Sequence, residues 1–332
     1  MNALFTPPAV ADCTDASARI SIDDVDRALH STRLQARDFL ALLSPAAAER
    51  LETMAIQLYS PLYLSNHCVN ACVYCGFNTR VHCPRRTLGV EEVDREARSL
   101  AGTGIRAVLA LTGEHPEAAS LEYVEMCVRR LRQHFLTVGL EIFACSESGY
   151  RRLVEAGAHQ LTLYQETYDP ERYGELHPAG PKRDFTFRLE APERACRAGF
   201  RSVNLGILLG LADWRTDAYA LGLHAKRLLD RYPDVEVGVS LPRLRPYPGG
   251  YVPEQPVGDA ALVQIMTALR LFLPRVGITL STRENEILRH RLLPIGITRI
   301  SAGSNTAVGG RTLSDAQYGQ FEIADHRPVA EV

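Results

Sequence analysis

From residue 58 onward, short apolar runs alternate with longer segments whose apolar positions recur every three or four residues. The short runs at 58–64, 107–111, 140–144, 161–164, 203–208, 235–240, 278–281 and 299–301 are predicted to be strands. The segments 91–101, 121–135, 188–198, 213–231 and 259–272 between them are predicted to be amphipathic helices. Strands separated by helices pair in parallel, because each return to the sheet needs a long crossover. Eight such units are the number that closes a (β/α)8 TIM-type barrel, so the expectation is an α/β barrel over residues 58–320. A doubly wound open sheet uses the same alternation and stays open as the other solution, since closure leaves no mark on a single sequence. In a barrel, the residues that follow each strand share one mouth, where chemistry is to be sought.

Upstream, residues 1–20 carry two prolines and no periodicity, as in a flexible leader. Asp23, Asp24 and Asp26 then load the start of a helical pattern carried by Val25, Leu29, Leu34, Phe39 and Leu42. Ser44 and Pro45 end it and open a second helix to about Gln57, giving an N-terminal helical lead-in over 21–57. Residues 242–256, rich in proline and glycine, form a loop after the sixth strand, and 321–332 a C-terminal tail.

Charge changes this picture little. Across 332 residues, 37 Lys and Arg oppose 39 Asp and Glu, which points to neither a nucleic-acid nor an anionic membrane partner. The sequence opens with neither the basic nor the apolar region of a secretory signal, and it holds no run of about 18 apolar residues, so a cytoplasmic location is expected. Eight cysteines are too few for a disulfide scaffold, yet three of them, Cys68, Cys72 and Cys75, crowd into CVNACVYC directly after the first strand. Three thiolates can hold a [4Fe–4S] cluster while one iron stays open to an exchangeable ligand. Zinc, completed by Cys83 or His67, is the alternative the spacing leaves open. Cys13, Cys83, Cys127, Cys145 and Cys196 are scattered and are expected to be ordinary small apolar side chains.

The CxxxCxxC spacing, with Tyr74 before its last cysteine, resembles the radical S-adenosylmethionine (SAM) superfamily. The resemblance implies that SAM binds the open iron and is cleaved to methionine and a 5′-deoxyadenosyl radical. It also implies cofactor-binding roles at later strand ends. Thr112, Gly113 and Glu114 match the motif that receives the methionine amino group, and Glu166 in YQETY (164–168) a carboxylate that holds the cofactor. Arg188 in FRLE (187–190) matches the arginine on the SAM carboxylate, while Gly206 and Leu208 in GILLGL (206–211) match the strand under the adenine.

SPLYLSN (60–66), LTGEH (111–115), LPRLRP (241–246), LSTRE (280–284) and SAGS (301–304) extend the likeness, from about Ile22 onward, to the 2-iminoacetate synthase family, the tyrosine lyases of thiamin biosynthesis. That likeness implies cleavage of the Cα–Cβ bond of L-tyrosine to 2-iminoacetate and p-cresol. A low-potential donor such as flavodoxin or ferredoxin would supply electrons, and a thiazole synthase would take the imine. On the residues themselves, Ser281 and Arg283 after the seventh strand form a hydroxyl and guanidinium pair suited to an amino-acid carboxylate. Arg243 and Arg245 are candidates for orienting the phenol or for shaping their loop. No cysteine follows Cys196, unlike the related lyase of hydrogenase-cofactor assembly with its cysteine-bearing extension. The sequence also stops short of the tryptophan-rich and acidic ending of the thiamin lyases, which leaves room for a paralogue acting on another amino acid.

Overall fold

The computed structural model describes residues 19–29, 56–253, 255–316 and 318–332. The expected leader and most of the N-terminal helical lead-in lie outside these residues. The chain divides at Gln57/Leu58 into two units. In the first, α1 (Ile22–Leu29) is closed at its start by reciprocal bonds, Ser21 N donating to Asp24 Oδ2 (3.1 Å) and Asp24 N to Ser21 Oγ (3.3 Å).

The second unit is a closed barrel with strands in sequence order: β1 (Gln57–Ser65), β2 (Ala107–Thr112), β3 (Thr137–Glu141), β4 (Gln160–Glu166), β5 (Ser202–Ile207), β6 (Glu236–Ser240), β7 (Gly277–Leu280) and β8 (Arg299–Ser301). Each neighbouring pair from β1 to β8 is parallel, and Ala302 N donates to Tyr59 O (2.9 Å) across the closing seam. This is the barrel expected from the alternation, and the open sheet is excluded.

The helices are α2 (Val90–Ala101), α3 (Leu121–Leu131), α4 (Glu147–Ala156), α5 (Pro170–Leu176), α6 (Phe185–Leu189), α7 (Ala191–Ala198), α8 (Trp214–Arg231), α9 (Asp259–Phe272) and α10 (Glu286–Leu292). Side chains of Ser120, Ser146, Asp169, Asp184, Asp213 and Asn285 accept from backbone N–H groups at the starts of α3, α4, α5, α6, α8 and α10. Such caps end each mouth loop firmly and fix its length. No helix among the described residues is long and apolar enough to cross a membrane.

Two expectations shift. The helix placed at 188–198 is two, broken at Glu190, because Pro192 lacks an N–H and its ring crowds the preceding turn. The third strand lies three residues earlier than its apolar run suggests: β2 pairs Ala107 with Thr137 and Leu111 with Glu141. Sheet register outweighs the hydrophobicity of Ile142 and Phe143, and it leaves Glu141 at the strand end, at the mouth.

Candidate active site

The loop after β1 is strapped over the mouth by backbone bonds. Val69 N donates to Glu114 O (2.8 Å), Ala71 N to Ala179 O (3.0 Å), Val73 N to Leu176 O (3.1 Å) and Thr79 N to Asn70 O (2.8 Å). Gly113 is needed here because any Cβ would collide with the His67 carbonyl. So held, Cys68, Cys72 and Cys75 line one cavity. Their sulfurs receive N–H groups: Phe77 N and Gln320 Nε2 reach Cys75 Sγ (3.4 Å each), and Asn70 Nδ2 reaches Cys68 Sγ (3.6 Å). Burial first, and the neighbouring thiols after it, push Cys72 up to about 12 and raise Cys75, with Lys182 working the other way. Thiolates in such a place need bound metal to exist at neutral pH, and the surrounding N–H donors suit cluster sulfur. The three residues therefore fit a cluster with three thiolate corners and one open iron.

Around the same cavity stand Tyr74, Thr112, Gly113, Glu114, Glu166, Arg188 and Leu208, each expected at a strand end or beside the cluster. Tyr74 is fixed rather than free. Nδ1 of His177 lies 2.8 Å from the Tyr173 carbonyl and so carries the proton, which leaves Nε2 to accept the Tyr74 hydroxyl (2.6 Å). Burial, then Lys182, lowers His177 to about 3, so the ring stays neutral. Glu166 occupies the left-handed region at φ 73°, the one non-glycine residue among those described to do so, which turns its carboxylate inward. Burial opposes its ionisation, but Lys182 (2.6 Å) and then Arg188 (3.9 Å) outweigh burial and hold its pKa below the ordinary range. Arg188 is pinned by donating Nε to Tyr164 O (2.7 Å), and Glu114 accepts from Asn70 Nδ2 (2.7 Å). Thr112 Oγ1 is buried with no hydrogen-bond partner, a polar atom left for a ligand. Gly206 lies outside this lining; the space of its missing Cβ is filled by the Tyr164 ring.

Deeper in the lumen a second cavity continues from the first, and Tyr63, Leu111, Glu141, Tyr164, Arg283 and Phe321 line both. Ser281 lines the inner one. Arg283 lies with its guanidinium 3.5 Å from the Phe321 ring centroid and donates NH1 to Arg243 O (3.4 Å). The two remaining arginine candidates part company. Arg245 lines the outer cavity, and its buried Nε lacks a partner. Arg243 points instead into ion pairs with Glu284 and Asp259 (2.7 Å).

The radical SAM superfamily matches residues 62–220, and the biotin and thiamin synthesis associated domain matches 240–332. The chain is 37% identical over 319 residues to 2-iminoacetate synthase of Escherichia coli K12, covering 92% of this chain and 85% of that protein. The chain belongs to the 2-iminoacetate synthase family. Among solved structures it resembles HydG, a maturase of the [FeFe]-hydrogenase (29% identity, TM-score 0.79, covering 97% of this chain and 76% of that one). HydG from Carboxydothermus hydrogenoformans is similar (32%, TM-score 0.78, 97% and 75%).

As a member of the 2-iminoacetate synthase family, the protein is a radical SAM lyase whose cofactors are a [4Fe–4S] cluster and SAM, which displaces zinc. Cys83, offered as a zinc ligand, lies with His67 on another cavity that Cys68 also borders and does not line the cluster cavity, and Cys127, Cys145 and Cys196 are buried thiols as expected. Sequence reasoning missed several lining residues. Lys182 sits in a short turn, Pro181–Arg183, with no periodicity to mark it. Gln320 is the last residue assigned to the barrel and Phe321 the first assigned to the tail, and neither was singled out. Glu141 carries the same strand-end signal that singled out Glu166, concealed by the misplaced third strand.

Proposed function

We propose that the protein cleaves the Cα–Cβ bond of L-tyrosine to 2-iminoacetate and p-cresol, with 5′-deoxyadenosine and methionine as coproducts, as a step toward the thiazole of thiamin. The observation that carries this reading is the continuity of the two cavities: the cluster thiols open into the lumen where Ser281 and Arg283 wait. The bound cluster supplies the low-potential electron that splits SAM and yields the radical. The chain's own residues do the rest. Arg283 and Ser281 hold the amino-acid carboxylate; the planar guanidinium can grip both oxygens. Lys182, Arg188, Glu166 and Thr112 line the cofactor side and supply charge and polar atoms to its methionine end. Phe321 and Gln320 cover the mouth and exclude water from a reactive species.

This reading implies a cytoplasmic enzyme served by a low-potential donor such as flavodoxin or ferredoxin, handing its imine to a thiazole synthase. Anaerobic incubation of the iron-loaded protein with SAM, tyrosine and a strong reductant should release p-cresol. Formation of 5′-deoxyadenosine without p-cresol would move the substrate to another amino acid.

A further inference from the structure

Four carboxylates stand at or beside the mouth, and three are engaged. Glu114 accepts from Asn70, Glu166 from Lys182, and Glu284 from Arg243. Glu141, the last residue of β3, makes no hydrogen bond or ion pair among the described residues, and it is the one carboxylate that lines both the cluster cavity and the Ser281 cavity. We propose that Glu141 is the catalytic base that takes a proton from the α-ammonium of the bound amino acid, leaving a neutral amine at the reacting nitrogen.

The proposal rests on the tyrosine-lyase reading above and deepens it. A primary ammonium keeps its proton at neutral pH, and its nitrogen has no lone pair to stabilise an unpaired electron formed there. An amino acid whose carboxylate lies on Arg283 and Ser281 has its nitrogen two bonds from the carboxylate carbon, and Glu141 shares both cavity walls with Arg283. In the transfer, an ammonium N–H bond breaks, an O–H bond forms on Glu141, and the electron pair stays on nitrogen. No oxidant or reductant is consumed.

The groups facing Glu141 tune it for this. Burial, and then the charge of Glu166 on β4, raise its pKa to about 7; Arg283, Lys182 and Arg188 restrain the rise. Tyr59 and Tyr63 of β1 and Tyr164 of β4 couple to it as well, and burial first, with Glu141 next, keeps all three phenols protonated. A base with its pKa near the working pH is ionised often enough to accept a proton and basic enough to keep it.

The test uses the iron-loaded enzyme with SAM and tyrosine, comparing Glu141→Gln and Glu141→Asp with the wild type from about pH 5.5 to about pH 9.5, on both sides of neutrality. Uncoupled SAM cleavage without tyrosine and the melting temperature report folding and cofactor loading. Glu141→Gln is expected to lower kcat/KM for p-cresol about 100-fold near neutrality. The wild-type acid limb near the Glu141 pKa should vanish in the variant, whose deficit should shrink as alkali deprotonates the amine directly. Glu141→Asp should restore an acid limb. With p-cresol formed by the wild type, a Glu141→Gln enzyme that keeps its acid limb, or loses the same factor at every pH, overturns the base assignment alone. Wild type that forms no p-cresol overturns the tyrosine reading and the base together.

Discussion

At the scale of single residues, the mouth separates groups open to the cavities from groups tied into the fold. Arg283 is half-buried, held between the Phe321 ring and the Arg243 carbonyl, and it lines both cavities. Lysine cannot reproduce a planar fork stacked on an aromatic ring. Arg283→Lys should therefore raise KM for tyrosine about tenfold or more while leaving the iron content and visible spectrum of the cluster unchanged. Arg243, three residues from the end of β6, answers a different question: it bridges Glu284 and Asp259, so its loss bears on stability. Arg243 and Arg245 sit in one run the sequence singled out, but which of them lines the cavity depends on the path of the loop after β6. Leu209 N donating to Pro242 O (2.8 Å) and Leu244 N to Leu209 O (3.0 Å) set that path, and these long-range bonds leave no local pattern.

At the scale of elements, the segment 318–325 contributes Gln320 and Phe321 to the wall of the cluster cavity. Gln320 N donates to Thr306 O (3.1 Å), Glu322 N to Pro246 O (3.0 Å) and Ala324 N to Thr282 O (2.9 Å), which sews the segment across the mouth. Gln320 bridges Tyr63 (2.9 Å) and Cys75 (3.4 Å), linking substrate and cluster sides. Phe321→Ala should open this cover and free Arg283 to swing. The expected outcome is a higher ratio of 5′-deoxyadenosine to p-cresol, measured by chromatography of single reactions, as radicals are quenched before the lyase step. An unchanged ratio would show that Phe321 only fills space. Periodicity made seven of the eight strands legible to within about two residues at their starts, since barrel strands buried on both faces read as short apolar runs between helical segments. It missed α4, α5 and α10, whose short lengths give few apolar repeats. It also could not show that the chain's last residues return to the mouth, because that return is held by backbone bonds any sequence can make.

At the scale of the molecule, one buried ionic cluster joins that cover to the barrel seam. Arg289 of α10, 1% exposed, donates to Asp325 and to the carbonyl of Ser301 in β8, and Arg327 closes on Asp325 from outside (2.6 and 3.0 Å). Burial alone would raise the Asp325 pKa, but the hydrogen bonds of Arg327 and the charge of Arg289 hold it at about 2. An acid whose folded pKa lies below its unfolded value of about 3.9 stabilises the fold above that value, and the contribution disappears as pH falls toward 2. At about 1.4 kcal/mol per pKa unit, the size is about 2.5 kcal/mol. Asp325→Asn should cost more at neutral pH, about 3–5 kcal/mol, because it strands the Arg289 guanidinium in the interior. Melting curves from pH 7 to about 2 would then show the wild type losing stability most steeply below pH 4, and the variant starting lower with a shallower acid slope. Equal slopes would mean that other carboxylates govern acid unfolding. Because the same cluster anchors the segment carrying Phe321, Asp325→Asn should also raise the 5′-deoxyadenosine to p-cresol ratio at temperatures well below its melting point. Stability and coupling would thus fail together through one side chain that touches neither substrate nor cluster.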